Sequence, residues 1–223
     1  HKGDIASESA AAAAGGVTSF MEMPNTYPQT VTIDEWQKKN SLAAKKSVIN
    51  YSFYLGGTDT NISELLRADP ALVPAIKLFM GASTGNMLVS REEALEAIFS
   101  LKKVPVACHC EDEQIIRAKM TAYREKYGEK IDPSFHPLIR SREACLASSS
   151  SAVNRARRAG TRLHLLHLST AEETELLTPG PDPTVKQIIG EACVHHLWFD
   201  DSAYKDKGTL VKWNPPIRTA SDR

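Results

Sequence analysis

The chain has 223 residues, with 27 Lys or Arg and 27 Asp or Glu. This length is sufficient for one large hydrophobic core and lies within the range of a single α/β barrel domain. Because positive and negative charges balance, the sequence gives no electrostatic reason to expect a nucleic-acid or anionic-membrane partner. No apolar run approaches the ~18 residues of a membrane span, and no signal peptide is recognisable, which predicts a cytoplasmic protein.

The four cysteines, Cys108, Cys110, Cys145 and Cys193, do not show the paired spacing of a structural zinc site. In Cys108-His109-Cys110 the two thiols are too close in sequence for a C-x-x-C motif. Free thiols in a reducing compartment are therefore expected.

Strand and helix patterns alternate along the chain. The predicted helices cover residues 4–14, 32–46, 62–67, 90–101 with Ser90 as N-cap, 111–127 and 140–159, and another helix opens at Ser169-Thr170. The predicted strands cover residues 17–23, 49–55, 73–80, 104–110, 162–168 and part of 185–197. This alternation predicts parallel strands joined by right-handed crossovers.

Two sheet types fit such a pattern, a doubly wound open sheet and a (β/α)₈ barrel. A glycine-rich phosphate loop follows none of the predicted strands. Instead, polar residues stand at the ends of successive strands, namely Asn25, Lys77, His109 and His167. Barrel active sites are built from several strand ends on one face, so we predict a TIM-type barrel as a single domain over residues 1–223.

Lys77 lies inside the apolar run 73–80. Burying an ammonium group without a partner is costly, so this lysine is expected to be paired, to reach out of the strand end, or to be chemically modified. A lysine paired with a carboxylate is the ordinary interpretation. Its place among the strand-end polar residues favours a functional one.

His109 and His167 end two consecutive predicted strands. Taken singly, each is more often a core histidine than a metal ligand. Together, beside a strand-end lysine, they indicate a metal site, because imidazole is the commonest biological metal ligand. A neutral lysine amine can add carbon dioxide to form a carbamate that bridges two cations. Lys77, His109 and His167 therefore form a candidate half of a binuclear centre.

Six motifs in order carry a family resemblance that runs over essentially the whole chain. They lie at residues 3–18, 23–26 (M-P-N-T), 76–81 (I-K-L-F-M-G), 109–112 (H-C-E-D), 167–172 (H-L-S-T-A-E) and 214–218 (N-P-P-I-R). In these motifs the chain resembles the dihydroorotases, cyclic amidohydrolases of the amidohydrolase superfamily.

The resemblance implies a zinc-dependent hydrolase that reversibly cyclises N-carbamoyl-L-aspartate to L-dihydroorotate, a step of pyrimidine biosynthesis. It implies two zinc ions bridged by carboxylated Lys77, with His109 and His167 as ligands of one of them. Asn25 and Asn214 are implied substrate contacts. A small molecule is the expected partner, and a homodimer is the expected assembly.

Two parts of the family pattern do not occur in this sequence. One is the H-x-H motif of the first strand, and the other is the last-strand motif whose aspartate is the general acid and base. Asp222 lacks a strand context and is not assigned that role. The chain is therefore expected to be an internal segment, an incomplete barrel without its first and last strands, and the catalytic aspartate is expected outside it.

Close alternatives are an allantoinase and an enzyme of the hydantoinase or dihydropyrimidinase type, which share the lysine and histidine ligands. A non-catalytic homologue is a further alternative from a different functional class. For the other histidines we expect core packing of His164, a loop and helix start around His136 and Arg140, and a supporting role for His195 and His196 late in a strand. Trp213 is expected to pack.

Overall fold

The structure is a computed structural model that describes residues 3–81, 87–180, 182 and 186–223. The chain divides into two compact units, one of residues 1–78 with 83–106 and the other of residues 79–82 with 107–223. Each unit is described by itself, and the single-domain prediction stays a prediction.

In the first unit, the described residues form seven elements and the start of two strands. They are α1 (Ile5–Ala14), β1 (Ser19–Glu22), α2 (Ile33–Lys46), β2 (Asn50–Phe53), β3 (Leu55–Gly56), α3 (Ile62–Leu66) and α4 (Glu92–Ser100). Strands β4 (Ile76–Met80) and β5 (Val106–Cys110) begin in this unit and end in the second.

The second unit continues with mainly helical elements. They are α5 (Glu113–Tyr127), a 3₁₀ turn (Pro133–Phe135), α6 (His136–Ile139), α7 (Arg142–Ala159), β6 (Leu163–Leu165), α8 (Ala171–Thr174), β7 (Ile188–Gly190), α9 (Val194–Trp198), α10 (Ala203–Lys207) and a 3₁₀ turn (Gly208–Val211). Every predicted strand region contains a strand.

The pairs β1–β2, β3–β4 and β6–β7 are parallel, as the alternation of strands and helices predicts. In the first unit β1 pairs with β2, with Ser19 opposite Asn50, and β3 pairs with β4, with Leu55 opposite Ile76. In the second unit β6 pairs with β7. The α/β part of the fold prediction is therefore confirmed.

The predicted strand 49–55 is divided in two at Tyr54. The Tyr54 N–H donates to the Glu22 carbonyl oxygen at 3.1 Å, whereas the Leu55 N–H donates to the Ala75 carbonyl oxygen at 3.3 Å. The backbone thus changes partners between consecutive residues, from β1 to the start of β4. A hydrophobic pattern does not reveal such a change, because the residues on both sides of Tyr54 remain in strands.

Helix starts follow the side-chain caps that the sequence offers. Thr32 accepts a hydrogen bond from the Glu35 N–H, Asp112 from Gln114 and Ile115, and Thr170 from Glu173. These oxygens satisfy backbone donors that the first helical turn leaves unpaired.

The prediction that Ser90 caps α4 is wrong. The N-cap residue is Arg91, and the N–H groups of Ser90 and Arg91 both donate to the Asp59 carboxylate, at 3.1 and 3.0 Å. Asp59, which is distant in sequence, therefore supplies the oxygen that Ser90 was expected to provide. Among the described residues, no helix has the length and apolar character to cross a membrane.

Candidate metal centre

His109 and His167 meet in the second unit. His109 is the fourth residue of the buried strand β5 and is 5% exposed, and His167 follows the end of β6 by two residues and is half-buried. The Nδ1 atom of His109 lies 3.0 Å from the Nε2 atom of His167. The structure therefore places the two predicted histidine ligands side by side.

The backbone of His167 has a φ angle of 41°, in the left-handed region. A side chain other than glycine is uncommon there, and the conformation costs on the order of 1–3 kcal/mol. Such strain is concentrated at functional sites. It is a second observation, independent of the ring contact, that distinguishes His167 from an ordinary core histidine.

Glu111 faces the other side of the His109 ring. Its Oε2 atom lies 3.0 Å from the His109 Nε2 atom, and its side chain is fully buried. At this distance the carboxylate favours the tautomer of His109 that carries its hydrogen on Nε2. The Nδ1 lone pair of His109 is then directed at His167, which must donate from its Nε2 atom in this arrangement.

Arg140 completes the charge balance of this network. Its guanidinium donates two hydrogen bonds to the two carboxylate oxygens of Glu111, one of them at 2.9 Å from Nε, and the arginine is 8% exposed. Burial by itself would raise the pKa of Glu111, but the hydrogen bonds from His109 and Arg140 outweigh it and lower that pKa to about 2. Glu111 is therefore a permanent anion that orients His109.

Lys77 belongs to β4 in the first unit. It is 2% exposed, and its Nζ atom donates to the Leu78 carbonyl oxygen at 2.6 Å. Asn25, also in the first unit, follows β1 and is exposed. The burial of Lys77 is as the sequence led us to expect, and its role as a metal ligand stays a prediction.

Asn214 lies in the second unit and is held by His136. The Nε2 atom of His136 lies 2.7 Å from the Trp213 carbonyl oxygen and 3.0 Å from the Asn214 Oδ1 atom. Both of these oxygens accept, so the imidazole Nε2–H donates and leaves the Asn214 amide hydrogens for another acceptor. Burial lowers the pKa of His136, which keeps the ring neutral.

Three expectations for the remaining residues are corrected. The long helix α7 starts at Arg142, so Arg140 pairs with Glu111 instead of opening the helix. His195 and His196 lie on α9 and not in a strand, because β7 ends at Gly190. His164 is half-buried with its Nε2 atom 3.0 Å from Glu191 Oε2, a polar contact instead of core packing.

Sequence reasoning missed the roles of Arg140 and His136. Arg140 lies 29 residues from Glu111, and His136 lies 78 residues from Asn214. One signal was available, since Glu111 directly follows a buried strand and a carboxylate in that position needs a cation. The sequence does not say which of the 27 basic residues supplies it.

The two histidines fit a divalent cation such as zinc. Metal-bound histidine usually donates its second ring N–H to a carboxylate or a carbonyl, which is the relation of His109 to Glu111. The Nδ1 atom of His109 and, in the tautomer with its hydrogen on Nδ1, the Nε2 atom of His167 are then the two candidate nitrogen ligands. Their separation of 3.0 Å brings both within reach of one ion.

The sequence of the chain was compared with family models and with known proteins. No family model matches it. It is 30% identical over 212 residues to the dihydroorotase of Methanosphaera stadtmanae, an alignment that covers 95% of this chain and 47% of the relative. It is also 30% identical over 223 residues to the allantoinase of Bacillus velezensis, with coverage of 95% and 47%. The chain is a relative of the cyclic amidohydrolases.

Solved structures agree with this relationship. The L-hydantoinase (dihydropyrimidinase) from Arthrobacter aurescens matches with a TM-score of 0.90 and 25% identity, over 99% of this chain and 49% of that one. This cyclic amidohydrolase is a TIM barrel, so the fold prediction, a TIM-type barrel that is incomplete in this chain, is confirmed. The chain spans about half the length of the curated relatives it matches.

Proposed function

We propose that this protein is a zinc-dependent dihydroorotase. In this proposal it converts N-carbamoyl-L-aspartate to L-dihydroorotate and back, as a cytoplasmic enzyme of pyrimidine biosynthesis. Likeness to proteins named dihydroorotase supports the reaction, and the balanced charge and the four free cysteines support a small-molecule substrate and a reducing compartment. A homodimer remains the predicted assembly.

The observation that supports the proposal most directly is the contact between the rings of His109 and His167, together with the contact of Glu111 with the His109 ring. A ring nitrogen of buried His109 and one of half-buried His167 converge, and the ionised carboxylate of Glu111 favours one tautomer of the His109 ring. In a purely structural role this arrangement would bury a charged pair for little net stability. In a metal centre the same pair keeps a ligand oriented.

Lys77 is proposed as the third ligand, in its carbamate form. In its ammonium form, this side chain would carry a buried positive charge that repels metal ions. As a carbamate it presents two anionic oxygens and can bridge two zinc ions. When bound, the zinc ions supply Lewis acidity toward the ring carbonyl and the attacking water.

Asn25 and Asn214 are proposed to contact the substrate. Because His136 donates to the Asn214 Oδ1 atom, the amide of Asn214 is held with its hydrogens directed away. Those hydrogens suit a carboxylate or carbonyl oxygen, both of which dihydroorotate presents. Truncation of Asn214 to alanine should lower kcat/KM for dihydroorotate about 10- to 100-fold, which corresponds to a lost hydrogen bond of ~1–3 kcal/mol.

The deciding experiment measures kcat/KM of the zinc-loaded, full-length protein for dihydroorotate, allantoin and a 5-substituted hydantoin. We expect the highest value for dihydroorotate, together with the reverse cyclisation of N-carbamoyl-L-aspartate. Allantoin is included as an alternative substrate because the chain is similar to an allantoinase. The hydantoin is included because the structure is similar to that of a hydantoinase. A higher value for either compound would overturn the assignment, and zinc binding without any turnover would indicate a non-catalytic homologue.

The carbamate has its own test. Full-length protein prepared with isotope-labelled bicarbonate should give one carbamate carbon resonance by NMR, and Lys77→Ala should abolish both this resonance and turnover. Addition of a short carboxylic acid should restore part of the activity of Lys77→Ala. Lys39, a half-buried lysine paired with Glu22, provides the control variant Lys39→Ala, which should retain the resonance.

A further inference from the structure

A second group of metal-type donors lies on and beside helix α9. Cys193 is the N-cap residue of this helix, and His195 and His196 are its second and third residues. One ligand atom from each of the three residues lies within 4.8 Å of the other two. None of the three belongs to the centre proposed for Lys77, His109 and His167.

The tautomer of His196 is set by the backbone. Its Nε2 atom lies 3.0 Å from the Pro215 carbonyl oxygen, and a carbonyl can only accept. The Nε2 atom therefore carries the hydrogen, and the Nδ1 atom is left with a bare lone pair. This is the usual second hydrogen bond of a metal-bound histidine.

The Nδ1 atom of His196 has no hydrogen-bond partner within the described part of the chain. The atom is buried, and the residue as a whole is 9% exposed. A buried acceptor without a partner costs about 1–3 kcal/mol, so native structures rarely keep one without a reason. A cation at this nitrogen would remove that cost.

The other two donors are placed to share the ion. The His195 ring stacks on Trp213 with centroids 4.4 Å apart and an interplanar angle of 15°, which restricts its orientation. Cys193 is half-buried, so its thiol can exchange its proton with solvent. Tetrahedral zinc ligands lie about 3.5 Å apart, so side-chain torsions need to close the group by about 1 Å.

We propose that Cys193, His195 and His196 bind one borderline-soft divalent cation, Zn²⁺ by preference, at a site separate from the catalytic centre. One thiolate and two imidazoles are a donor set that zinc favours over magnesium or calcium. Three protein ligands leave a fourth position for water or another small donor. Through His196 and Pro215, and through His195 and Trp213, the ion ties α9 to the segment that carries Asn214.

Cobalt substitution tests the site with a signal that the catalytic centre cannot give. A thiolate bound to Co²⁺ produces a charge-transfer band in the near ultraviolet, whereas lysine and histidine ligands do not. Full-length protein loaded with Co²⁺ should show this band, and Cys193→Ala and His195→Ala should lose it. The controls His109→Ala and Cys110→Ala should keep it. A band that persists in Cys193→Ala, or that is missing from the unaltered protein, overturns the proposal.

Protection of the thiol provides a second readout that does not depend on activity. Cys193 is half-buried, whereas Cys108, Cys110 and Cys145 are buried, so iodoacetamide should label Cys193 first. At a free zinc concentration of ten times the Kd, labelling of Cys193 should slow about tenfold by mass action. An unchanged rate with zinc would reject the site, and magnesium is the control ion that should give no protection.

Discussion

The Nδ1 atom of His109 lies 3.0 Å from the Nε2 atom of His167, while the opposite nitrogen of His109 faces Glu111 at the same distance. The carboxylate therefore decides which nitrogen of His109 is free to bind a cation. His109 on β5 and His167 just after β6 form one pair of candidate metal ligands, and Glu111 orients the ring of His109.

Replacement of His167 with alanine should remove zinc from this centre and lower kcat/KM by more than the 10- to 100-fold that loss of an outer-shell partner costs. Zinc per protein is best measured by elemental analysis in a Cys193→Ala background, so that only this centre is counted. His164→Ala is the matched control from the neighbouring strand β6, and it should retain zinc. Equal zinc content in both variants would argue against His167 as a ligand.

Removal of the arginine from the buried Glu111–Arg140 pair should be strongly destabilising. Arg140→Met leaves a buried carboxylate with one partner fewer, and we expect the free energy of unfolding to fall by about 3–5 kcal/mol. The pair of exposed Arg117 and half-buried Glu113 is the control, and Arg117→Met should cost less than about 1 kcal/mol. Urea unfolding of both variants measures the difference.

A double variant separates the lost pair from a simple packing defect. Glu111→Gln combined with Arg140→Met removes the buried charge as well as its partner, so it should recover part of the stability lost in Arg140→Met. If the losses in free energy of unfolding from the two single substitutions simply add in the double variant, the charge argument for Glu111 fails.

Gly81, which follows β4, touches the backbone of Glu111. A Cβ atom at this position would lie 2.0 Å from the Glu111 carbonyl oxygen, a distance that requires the backbone to move. Gly81→Ala should therefore lower the free energy of unfolding by about 1–3 kcal/mol and lower activity by displacing Glu111. Gly15→Ala is the control, because the nearest atom to its Cβ lies at 3.5 Å and its φ angle is −82°. Thermal unfolding and dihydroorotate turnover are measured side by side, and similar behaviour of the two variants would contradict this account.

Asp222 should contribute stability that depends on pH. Burial would raise its pKa, but hydrogen bonds from Thr219, Arg142 and the Ala171 N–H outweigh burial and lower the pKa below the ordinary value of 3.8. A lowered folded-state pKa stabilises the protein above the unfolded-state pKa, and this contribution is lost as the pH falls through the folded-state pKa.

Asp222→Asn should therefore reduce the free energy of unfolding at neutral pH, by about 1–3 kcal/mol for charged hydrogen bonds. The deficit should shrink below pH 3.8. Urea unfolding at neutral pH and near pH 3 tests this, with the exposed Asp206→Asn as control. A deficit that stays constant across this range would show that Asp222 acts by packing and not by charge.

The order and type of the elements could be predicted from the sequence, because local patterns determine them. Runs of apolar residues specify the buried strands, and caps such as Thr32 and Thr170 specify where helices begin. The positions of His109 and His167 near strand ends follow from the same patterns. This is why both could be named as candidate ligands before any contact was known.

Tertiary structure alone decided which side chains meet. Four such contacts depend on the path of the chain. They are the pairing of Glu111 with Arg140, the hydrogen bond from His136 to Asn214, the contact of Asp59 with the start of α4, and the grouping of Cys193 with His196, whose tautomer is set by the Pro215 carbonyl. The physical reason is range. Hydrophobic periodicity and capping act over a few residues, whereas these contacts join groups that lie 19 to 78 residues apart in the sequence. Whether such groups meet depends on every loop between them.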